Sequence, residues 1–567
     1  MRKLKNEKGM ALILTLLFSV ILYALSGIFL LRVVNESNMA RVERETTKSF
    51  YAGQAASQAA VRQLNILIND FLTNTILNSD PSGVISYATG KVASGDGIGW
   101  LVFAVRDNNA PVLTPNGEQA EYTLTSDLLP SASTYTYKII FTEKEDPSVS
   151  GDDAWDFPFN YKVEATGATG NFNNDVFVNG DFTVRVQRDN FAKYALFTNS
   201  QTTPSGTNVW FTDKTNFAGP VHTNDRFNFA WNPSGTFEEI VTQSQQTARF
   251  YNNGSSILLD AALNGTKDVP TFNNEFTRGA ETVTLGTSAQ ESDMISQAKG
   301  SGTYASKGVY IPNSSGALTA GIYVKGDGTI SMSVDGSNNA VYTITQGSST
   351  KVVTVNQTSA QTTVQDVSAG TTTTYSGMPD GAEDVGTIIY VDGNVTSLGG
   401  TVQSDTQLTI SSKTDIVITN HVKYTDYTPA TGTPGVAGYV PPTADGTNNM
   451  LGLVSWGGSV RIGTAAPNNI EIHGTVLAQD GIFTVDNYSS GSPRGTATLL
   501  GGAFTDDYGA FGTFNSSTGT QVSGYGRNFV YDDRMQNGQS PPYFPTLDAF
   551  IAFSPDIMDK MIWQQGE

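Results

Sequence analysis

The sequence has no cysteine among its 567 residues, so it can form neither a disulfide bond nor a thiolate metal site. It has only three histidines, and it contains neither an HExxH zinc motif nor a GxSxG nucleophile motif. Charged residues make up 15% of the chain, and acidic residues outnumber basic ones by 53 to 33. The net charge of -20 argues against nucleic-acid binding, which needs clustered Lys and Arg. We predict a protein that is not an enzyme and has no cofactor.

Oxygen ligands for a metal ion are the remaining possibility, because adjacent aspartates occur in three places. The pairs are Asp152–Asp153, Asp506–Asp507 and Asp532–Asp533. None of them has the spacing of an EF-hand loop, which arranges its calcium ligands over twelve residues. Solvated turns explain such pairs more simply, so the sequence predicts no metal site.

The sequence does have an unbroken apolar run over residues 10–31, directly behind a short leader, MRKLKNEKG. As a helix, this run is long enough to cross a hydrocarbon core of roughly 30 Å. The leader is basic, because it carries Arg2, Lys3, Lys5 and Lys8 against Glu7 alone. This bias favours a cytoplasmic N-terminus and an exported remainder. We predict a single-pass segment of the inner membrane at 10–31.

The sequence remains helical beyond the membrane segment. It has no proline before residue 81, and apolar residues recur mostly at three- and four-residue steps as far as Leu67. The apolar run is longer than the core of a secretory signal, and no cleavage site of small residues follows it. We therefore predict one long helix over 10–78 that ends before Pro81.

Three features of this segment resemble the N-terminus of type IV pilin-like proteins, particularly minor pilins of the PilX type. They are the leader ending in Gly9, the apolar run that starts immediately after it, and the continuation SFYAGQAA at 49–56. The resemblance implies that prepilin peptidase cuts between Gly9 and Met10 and that the new N-terminus is methylated. It also implies that the apolar helix leaves the membrane and packs among the helices of other pilin subunits. The positions that we assign to membrane and filament are Leu14, Leu16, Phe18, Leu22 and Phe29.

The sequence departs from the family pattern at two mature positions. Shaft-forming pilins usually carry Glu at the fifth mature position, where this chain has Leu14. In lacking this carboxylate, the chain resembles K-type pseudopilins and some minor pilins, which lie at or near a filament tip. Met10 replaces the usual Phe as the first mature residue, and the AxEA pattern reads Gly53-Gln54-Ala55. The alternative to a pilin is an uncleaved signal anchor that holds a surface protein.

Residues 79–188 are predicted to form a pilin-like β head that packs on the second half of the helix. Short alternating segments bounded by Asn, Asp, Gly or Pro indicate an antiparallel sheet. They lie at 122–124, 135–141, 161–165 and 182–186. A further strand is predicted at 100–105, WLVFAV, because the run is short and apolar.

Residues 189–567 have a different character and are predicted to form one large, mainly β domain. The stretch FAKYALFTNSQ at 191–201 and the turn GPVHTN resemble a domain of unknown function commonly attached to PilX-type pilins. Segments 530–534 and 541–545 resemble the closing part of that domain. The residues that carry the turn are Gly219, Pro220, His222 and Asn224. For His222, a hydrogen bond to the backbone is the simplest expectation.

Short β-branched triplets with Gly or Asn corners recur through this domain, often 8 to 12 residues apart. The pattern favours a β-helix-like solenoid, and a β-sandwich is the alternative. We expect a projecting β insertion at about 301–377, with a hairpin across 347–349, and an exposed proline-containing loop at about 424–449. The fold class is thus α+β, with a long helix on an antiparallel sheet followed by a mainly β domain.

Two functions fit the sequence. In the first, the chain is a minor type IV pilin-like subunit of a pilus or pseudopilus. It lies at or near the filament tip and displays its β domain for assembly, adhesion or contact with a glycan, a host surface or a solid surface. In the second, it is a membrane-anchored β-helix protein that binds envelope polysaccharide outside any filament. Cleavage after Gly9 distinguishes the two.

Overall fold

The structure is a computed structural model that describes residues 4–129, 133–151, 154–212, 215–230, 235–252, 255–259, 270–434, 436–515, 520–536, 538–553 and 562–565. The chain divides into two compact units. Unit 1 comprises residues 1–187 and 550–567, and unit 2 comprises residues 188–549.

Unit 1 begins with the long helix that the sequence predicts. Helix α1 (Leu4–Asn65) continues through a π-helical stretch (Ile66–Leu72) into α2 (Thr73–Leu77). The chain then leaves the helical path, and Pro81 opens α3 (Pro81–Ser94) with Asp80 as its N-cap. Proline at the first helical position and Gly95 in the left-handed conformation at the end give α3 well-defined limits.

An antiparallel sheet packs against the second half of α1, as predicted. Its main strands, in spatial order, are Thr114–Asn116, Gln119–Leu128, Thr134–Glu143, Ala154–Thr169 and Phe172–Asn190. Along Ala154–Thr169, buried and less buried residues alternate, because successive side chains of a strand point to opposite faces. The buried face and the helix together form one hydrophobic core.

The strand predicted at 100–105 is wrong, because this segment belongs to helix α4 (Gly97–Ala104). The Asp96 side chain accepts a hydrogen bond from the Gly99 N–H at 2.7 Å and caps the helix. Trp100 stacks on Phe157 with ring centroids 3.9 Å apart, so the apolar run is buried as a helix. A short apolar run fits a buried strand and a buried helix equally well, and here the cap decides between them.

Unit 2 is a large, mainly β region with several sheets. In the described part of the chain, sheet A has eleven strands. Their spatial order is Phe276–Arg278, Val241–Gln243, Val221–Thr223, Leu196–Thr198, Ala503–Thr505, Thr475–Ala478, Met450–Ser455, Gln407–Ser412, Thr387–Asp392, Ile322–Lys325 and Gly308–Tyr310. All neighbours in it are parallel except the last pair. Sheet B contains the parallel series Gly328–Val334, Val395–Val402, Ile416–Tyr424, Glu471–His473, Pro493–Leu500 and Gln521–Val530.

From Thr387 onward, the chain of unit 2 passes repeatedly from sheet A to sheet B and back. The first two passages place one strand in sheet B, and the later ones place two there. Strands of successive passages pair in parallel. Glycines at the corners permit this close stacking. Gly501 has a φ of +152°, and a Cβ there would lie 2.2 Å from the Gly474 carbonyl oxygen, which belongs to the corresponding corner of the preceding passage.

Sheet B also contains an antiparallel array with its own hairpins, which shares the strand Gly328–Val334 with the parallel series. The array consists of Gly328–Val334, Ala340–Gln346, Ser349–Asn356, Gln361–Asp366 and Thr371–Ser376. The hairpin predicted across 347–349 is confirmed, since Gln346 pairs with Ser349. Helix α5 (Ser288–Lys299) precedes this region, with Thr287 as its N-cap.

Shorter strands complete the two units. In unit 1 these are Arg106–Asp107, Ala110–Pro111, Ser148–Gly151 and Ile562–Gln565. In unit 2 they are Asn228–Phe229, Thr236–Phe237, Ala248–Asn252, Ser255–Leu259, Thr271–Phe272, Asn313–Ser314, Ala317–Leu318, Val460–Ile462, Phe483–Val485 and Gly512–Phe514. The chain returns to unit 1 within the strand Thr546–Phe553, and Ile562–Gln565 pairs with residues 176–179. The sequence analysis had placed this C-terminal segment in the second domain.

Candidate functional site

The first half of α1 is the most exposed apolar surface of the described chain. Met10 is 64% exposed, and every large apolar residue between it and Leu31 is also exposed. Among the described residues, this is the one helix long and apolar enough to cross a membrane. The predicted positions Leu14, Leu16, Phe18, Leu22 and Phe29 all lie in this exposed half, and Gly9 and Met10 lie at its start.

The second half of α1 is built for close packing on the sheet of unit 1. Small residues of the SFYAGQAA motif and the turns after it face the sheet and are fully buried, namely Ser49, Ala52, Ala56 and Ala60. At Gly167, in the strand Ala154–Thr169, a Cβ would lie 2.1 Å from the Gly53 backbone nitrogen. Helix and strand backbones therefore meet at a pair of glycines, which explains physically why glycine occupies position 53.

A polar contact fixes the register of the helix at the same place. Asn174 donates a hydrogen bond to the Ser49 hydroxyl at 2.7 Å and another to the Thr46 carbonyl at 3.3 Å. Ser49 is buried, and its hydroxyl also donates to the Thr46 carbonyl at 2.8 Å, so the hydroxyl both donates and accepts within the protein. The helix thus has an exposed apolar half and a half that is anchored to the sheet.

The GPVHTN turn lies in unit 2, where Val221–Thr223 is a fully buried strand of sheet A. Gly219 lies against the ring of Tyr531, and a Cβ there would be 2.5 Å from that ring. The Tyr531 hydroxyl donates to the Lys193 carbonyl at 2.9 Å. The Pro220 carbonyl accepts a hydrogen bond from the Ala195 N–H at 2.7 Å. The turn therefore meets both the FAKYALF stretch and the closing VYDDR segment.

The expected backbone hydrogen bond of His222 is wrong, because both ring nitrogens have side-chain partners. Nδ1 lies 2.7 Å from the Thr242 hydroxyl, and Nε2 lies 3.0 Å from the Asn224 amide oxygen. Thr242 is directly opposite His222 in the parallel register with Val241–Gln243. Burial lowers the pKa of His222, and its ring stacks on Phe197 with centroids 5.3 Å apart. This geometry gives His222 a structural role.

Asn224 is the residue that ties the turn to a distant segment. Its amide oxygen accepts a hydrogen bond from the Val283 N–H at 2.8 Å, and its amide nitrogen donates to the Val283 carbonyl at 2.6 Å. The Asn224 amide thus pairs with Val283 as a neighbouring strand would, and it satisfies both the N–H and the C=O of that residue. The predicted residues of the turn are thus brought together as a structural joint of unit 2.

Sequence reasoning missed a polar cluster around Glu471 in sheet B. The Glu471 carboxylate accepts a hydrogen bond from the Tyr427 hydroxyl at 3.0 Å and lies 3.4 Å from the Lys423 ammonium. His473 Nε2 is 3.7 Å from the same carboxylate, and His473 Nδ1 accepts the Tyr424 N–H at 3.1 Å. These residues are about 50 positions apart in sequence and meet because their strands are neighbours in sheet B. A single sequence carries no signal for this juxtaposition.

The cluster predicts that unit 2 loses stability in acid. Burial lowers the pKa values of His473 and His421, whereas His473 together with Lys423 and the Tyr427 hydroxyl lower the pKa of Glu471 to about 2. A histidine with a lowered folded-state pKa binds protons more readily when the protein is unfolded. The contribution of the two neutral histidines to stability is therefore fully present above about pH 6.5 and is lost as the pH falls below that value. Glu471 adds a further loss below about pH 4.3. Each pKa unit corresponds to about 1.4 kcal/mol.

Thermal unfolding at pH 7.5 and pH 5.0 measures this effect. We expect the melting temperature of the full chain to fall on acidification, and the fall to be smaller in His473→Asn, which retains an acceptor for the Tyr424 N–H. His421→Asn is the matched variant on the less buried ring, and its effect should be smaller. An equal fall in wild type and His473→Asn would contradict the assignment.

The aspartate pairs have protein partners where the structure describes them. Asp506 accepts a hydrogen bond from Asn199 at 2.8 Å, and Asp532 forms an ion pair with Arg534. Asp152 and Asp153 lie outside the described residues. Among the described residues, no group of three or more His, Asp or Glu side chains could hold a metal ion.

Part of the chain matches a known family model. A family model described as a domain of unknown function, DUF4900, matches residues 156–245, which include the GPVHTN turn. The prediction of a domain of unknown function around this turn is therefore confirmed. The match begins within the predicted β head, however, and does not reach the predicted closing segments at 530–534 and 541–545. A search of curated proteins finds no match.

One solved structure that resembles the chain is that of the competence-associated pilin ComZ from Thermus thermophilus. The alignment covers 92% of this chain and 98% of that one, at 11% sequence identity and a TM-score of 0.32. A likeness at this level carries no argument about function, which must rest on the residues described above.

Proposed function

We propose that the chain is a type IV pilin-like subunit with a structural role in a pilus or pseudopilus. The observation that carries the proposal is the division of α1 into an exposed apolar half and a half anchored on an antiparallel sheet. A helix that is apolar all round can exchange lipid for neighbouring helices at little cost. The second half of α1 holds the antiparallel sheet of unit 1 at a fixed distance from the apolar segment at 10–31.

The proposal includes processing and orientation. Prepilin peptidase cuts after Gly9, Met10 becomes the methylated N-terminus, and the helix remains in the inner membrane until assembly. The basic leader supports a cytoplasmic N-terminus and an exported remainder. Leu14, Leu16, Phe18, Leu22 and Phe29 then contact the helices of other pilin subunits.

The proposal also assigns unit 2 to a β-helix-like solenoid that the filament displays. Support comes from the repeated passage of the chain between sheets A and B and from the parallel pairing of strands in successive passages. A β-sandwich would ordinarily be built from antiparallel sheets. A unit of this size is easier to accommodate at a filament tip than in a repeating shaft, and Leu14 in place of the shaft-type Glu agrees with that position.

N-terminal mass spectrometry of the protein from its native envelope tests the processing step. We expect a mature chain that begins at methylated Met10 when prepilin peptidase is present, and an intact leader when the peptidase gene is deleted. Gly9→Val should prevent cleavage in the same way, and Gly27→Val, which lies within the apolar run, serves as the matched control. An intact Met1 in both strains would instead favour the membrane-anchored protein that binds envelope polysaccharide.

Antibody labelling of sheared filaments tests the tip position separately. We expect label at filament ends, where the large β unit has room. Uniform labelling along the shaft would contradict the tip position while leaving the subunit assignment intact.

A further inference from the structure

The outer face of the antiparallel array in unit 2 carries two uninterrupted rows of uncharged side chains, most of which bear a hydroxyl group. Residues that pair across antiparallel strands share a face, so the registers define each row. One row is Ser333, Val341, Thr354, Thr363 and Thr374. The other is Ser331, Thr343, Val352, Gln365 and Thr372. We call these ten residues the hydroxyl face.

The opposite face of the same strands is the ordinary core side. Ile330, Tyr342, Val353 and Val364 lie there and are buried in the hydrophobic core of unit 2. The charged residues of the central strands also lie on that side, where Lys351 pairs with Asp366 at 3.4 Å. The two faces of the array therefore differ in composition. One face carries the buried apolar residues and the charged pair, and the other carries side chains with hydroxyl and methyl groups.

The hydroxyl face carries no charged and no aromatic side chain among its described residues, although the chain as a whole has a net charge of -20. Solvent-exposed positions of soluble proteins usually include many charged side chains, which keep protein surfaces from associating. Cross-strand hydroxyl contacts hold the side chains in place instead. Thr363 and Thr374 lie 3.0 Å apart, and Thr345 and Thr350, in the adjoining row, also lie 3.0 Å apart.

These properties define the chemistry of a partner. An uncharged face on an acidic protein suits a neutral surface, because an anionic polymer would be repelled by the rest of the chain. Threonine has a stiff χ1 angle, so its hydroxyl and methyl groups are already ordered and little side-chain entropy is lost on contact. Hydroxyl groups both donate and accept, which matches a ligand that is itself rich in hydroxyl groups.

The spacing of the rows indicates a linear ligand. Neighbouring strands lie about 4.8 Å apart, so a row of five residues extends about 19 Å across the strands. The step is close to the length of one sugar residue in an extended glycan chain. A glycan lying along a row would therefore meet one side chain of the protein per sugar.

We propose that the hydroxyl face binds an extended, neutral polysaccharide presented on an insoluble surface. This inference rests on the proposed function, because unit 2 meets such a surface in the cell when a filament displays it. Binding itself is a property of the purified chain and does not require a filament. Its failure is therefore distinguishable from failure of the subunit assignment, which processing after Gly9 measures.

The test is a depletion assay with the full chain in detergent micelles. Microcrystalline cellulose and chitin are the neutral probes, and alginate beads are the anionic probe. The face variant is Thr372→Lys with Thr374→Lys. The matched control is Thr371→Lys with Thr373→Lys, which makes the same change on the same strand but on the other face, where Thr373 is in register with Val364.

We expect wild type and the control variant to bind a neutral probe with equal affinity, and the face variant to bind about tenfold more weakly. Equal melting temperatures of the two variants establish that folding is unchanged. Thr354→Lys, at the middle of its row, should weaken binding in the same direction. Absence of binding to both neutral probes, stronger binding to alginate, or an equal loss in both double variants would overturn the proposal.

Discussion

Replacing Gly167 with alanine is expected to destabilise unit 1 by about 3 kcal/mol, because the added methyl group has no space to occupy. The Cβ would lie 2.1 Å from the Gly53 nitrogen, 2.3 Å from the Ser49 carbonyl oxygen and 2.6 Å from the Ala52 carbonyl carbon. All three atoms belong to the backbone of α1, so no side chain can rotate to relieve the contact. The helix must move away from the sheet, and the buried residues on either side then lose contacts.

Hydrogen exchange locates this effect as well as measuring it. We expect faster exchange in peptides that cover 49–64 and 161–168, with unchanged protection of strand Gln407–Ser412 in unit 2. Gly53→Ala should have a smaller effect, because its Cβ would lie 3.0 Å from the Asn174 carbonyl oxygen. Gly90→Ala is the matched control within α3, where a Cβ meets nothing within 4 Å. It should stabilise the unit by about 0.5–1 kcal/mol. Equal stability of Gly167→Ala and Gly90→Ala would contradict the close approach.

Arg534→Met is expected to destabilise unit 2 by about 3–5 kcal/mol, because it leaves a buried carboxylate without its partner. The Arg534 side chain is 6% exposed and that of Asp532 is 3% exposed. Nε and Nη2 donate to the two Asp532 carboxylate oxygens at 2.9 Å and 2.6 Å. Nη1 donates to the Asn449 carbonyl at 2.6 Å and to the Thr447 hydroxyl at 2.9 Å. One guanidinium thus joins the closing segment to the end of the 424–449 loop.

Chemical denaturation and limited proteolysis together test this prediction. We expect a lower free energy of unfolding and faster cleavage within 425–449 in Arg534→Met. Lys413→Met is the matched control, because it breaks an ion pair in which the lysine is 58% exposed and should cost less than about 1 kcal/mol. Adding Asp532→Asn to Arg534→Met removes the unpaired charge and should restore part of the loss. If Arg534→Met behaves like Lys413→Met, the buried ion pair contributes less than its geometry implies.

The elements that the sequence predicted correctly are those whose local residue pattern is compatible with only one type of secondary structure. The apolar run at 10–31 with no proline before residue 81 permits only a long helix, and the alternating segments between 122 and 186 permit only a sheet. Segment 100–105 shows the limit of this reasoning, because a short apolar run has no period of its own. The Asp96 cap was the available signal for a helix at that position.

The parts that could not be predicted depend on which strands become neighbours. Leu196–Thr198 lies beside Ala503–Thr505, although about 300 residues separate them in sequence. The partner of His222 is Thr242 because the next parallel strand places it there, and Glu471 meets Lys423 and His473 for the same reason. Such contacts follow from register, which single-sequence periodicity does not specify.

Analysis of sheared filaments tests the central claim most directly. Filaments are sheared from wild-type cells and from cells that carry Gly9→Val, and the purified filament fraction is analysed by mass spectrometry. The account predicts that the wild-type fraction contains this chain with methylated Met10 at its N-terminus, and that the Gly9→Val chain stays in the membrane fraction. Assembled filaments that lack the chain, with the wild-type protein retained in the membrane at full length, would contradict it.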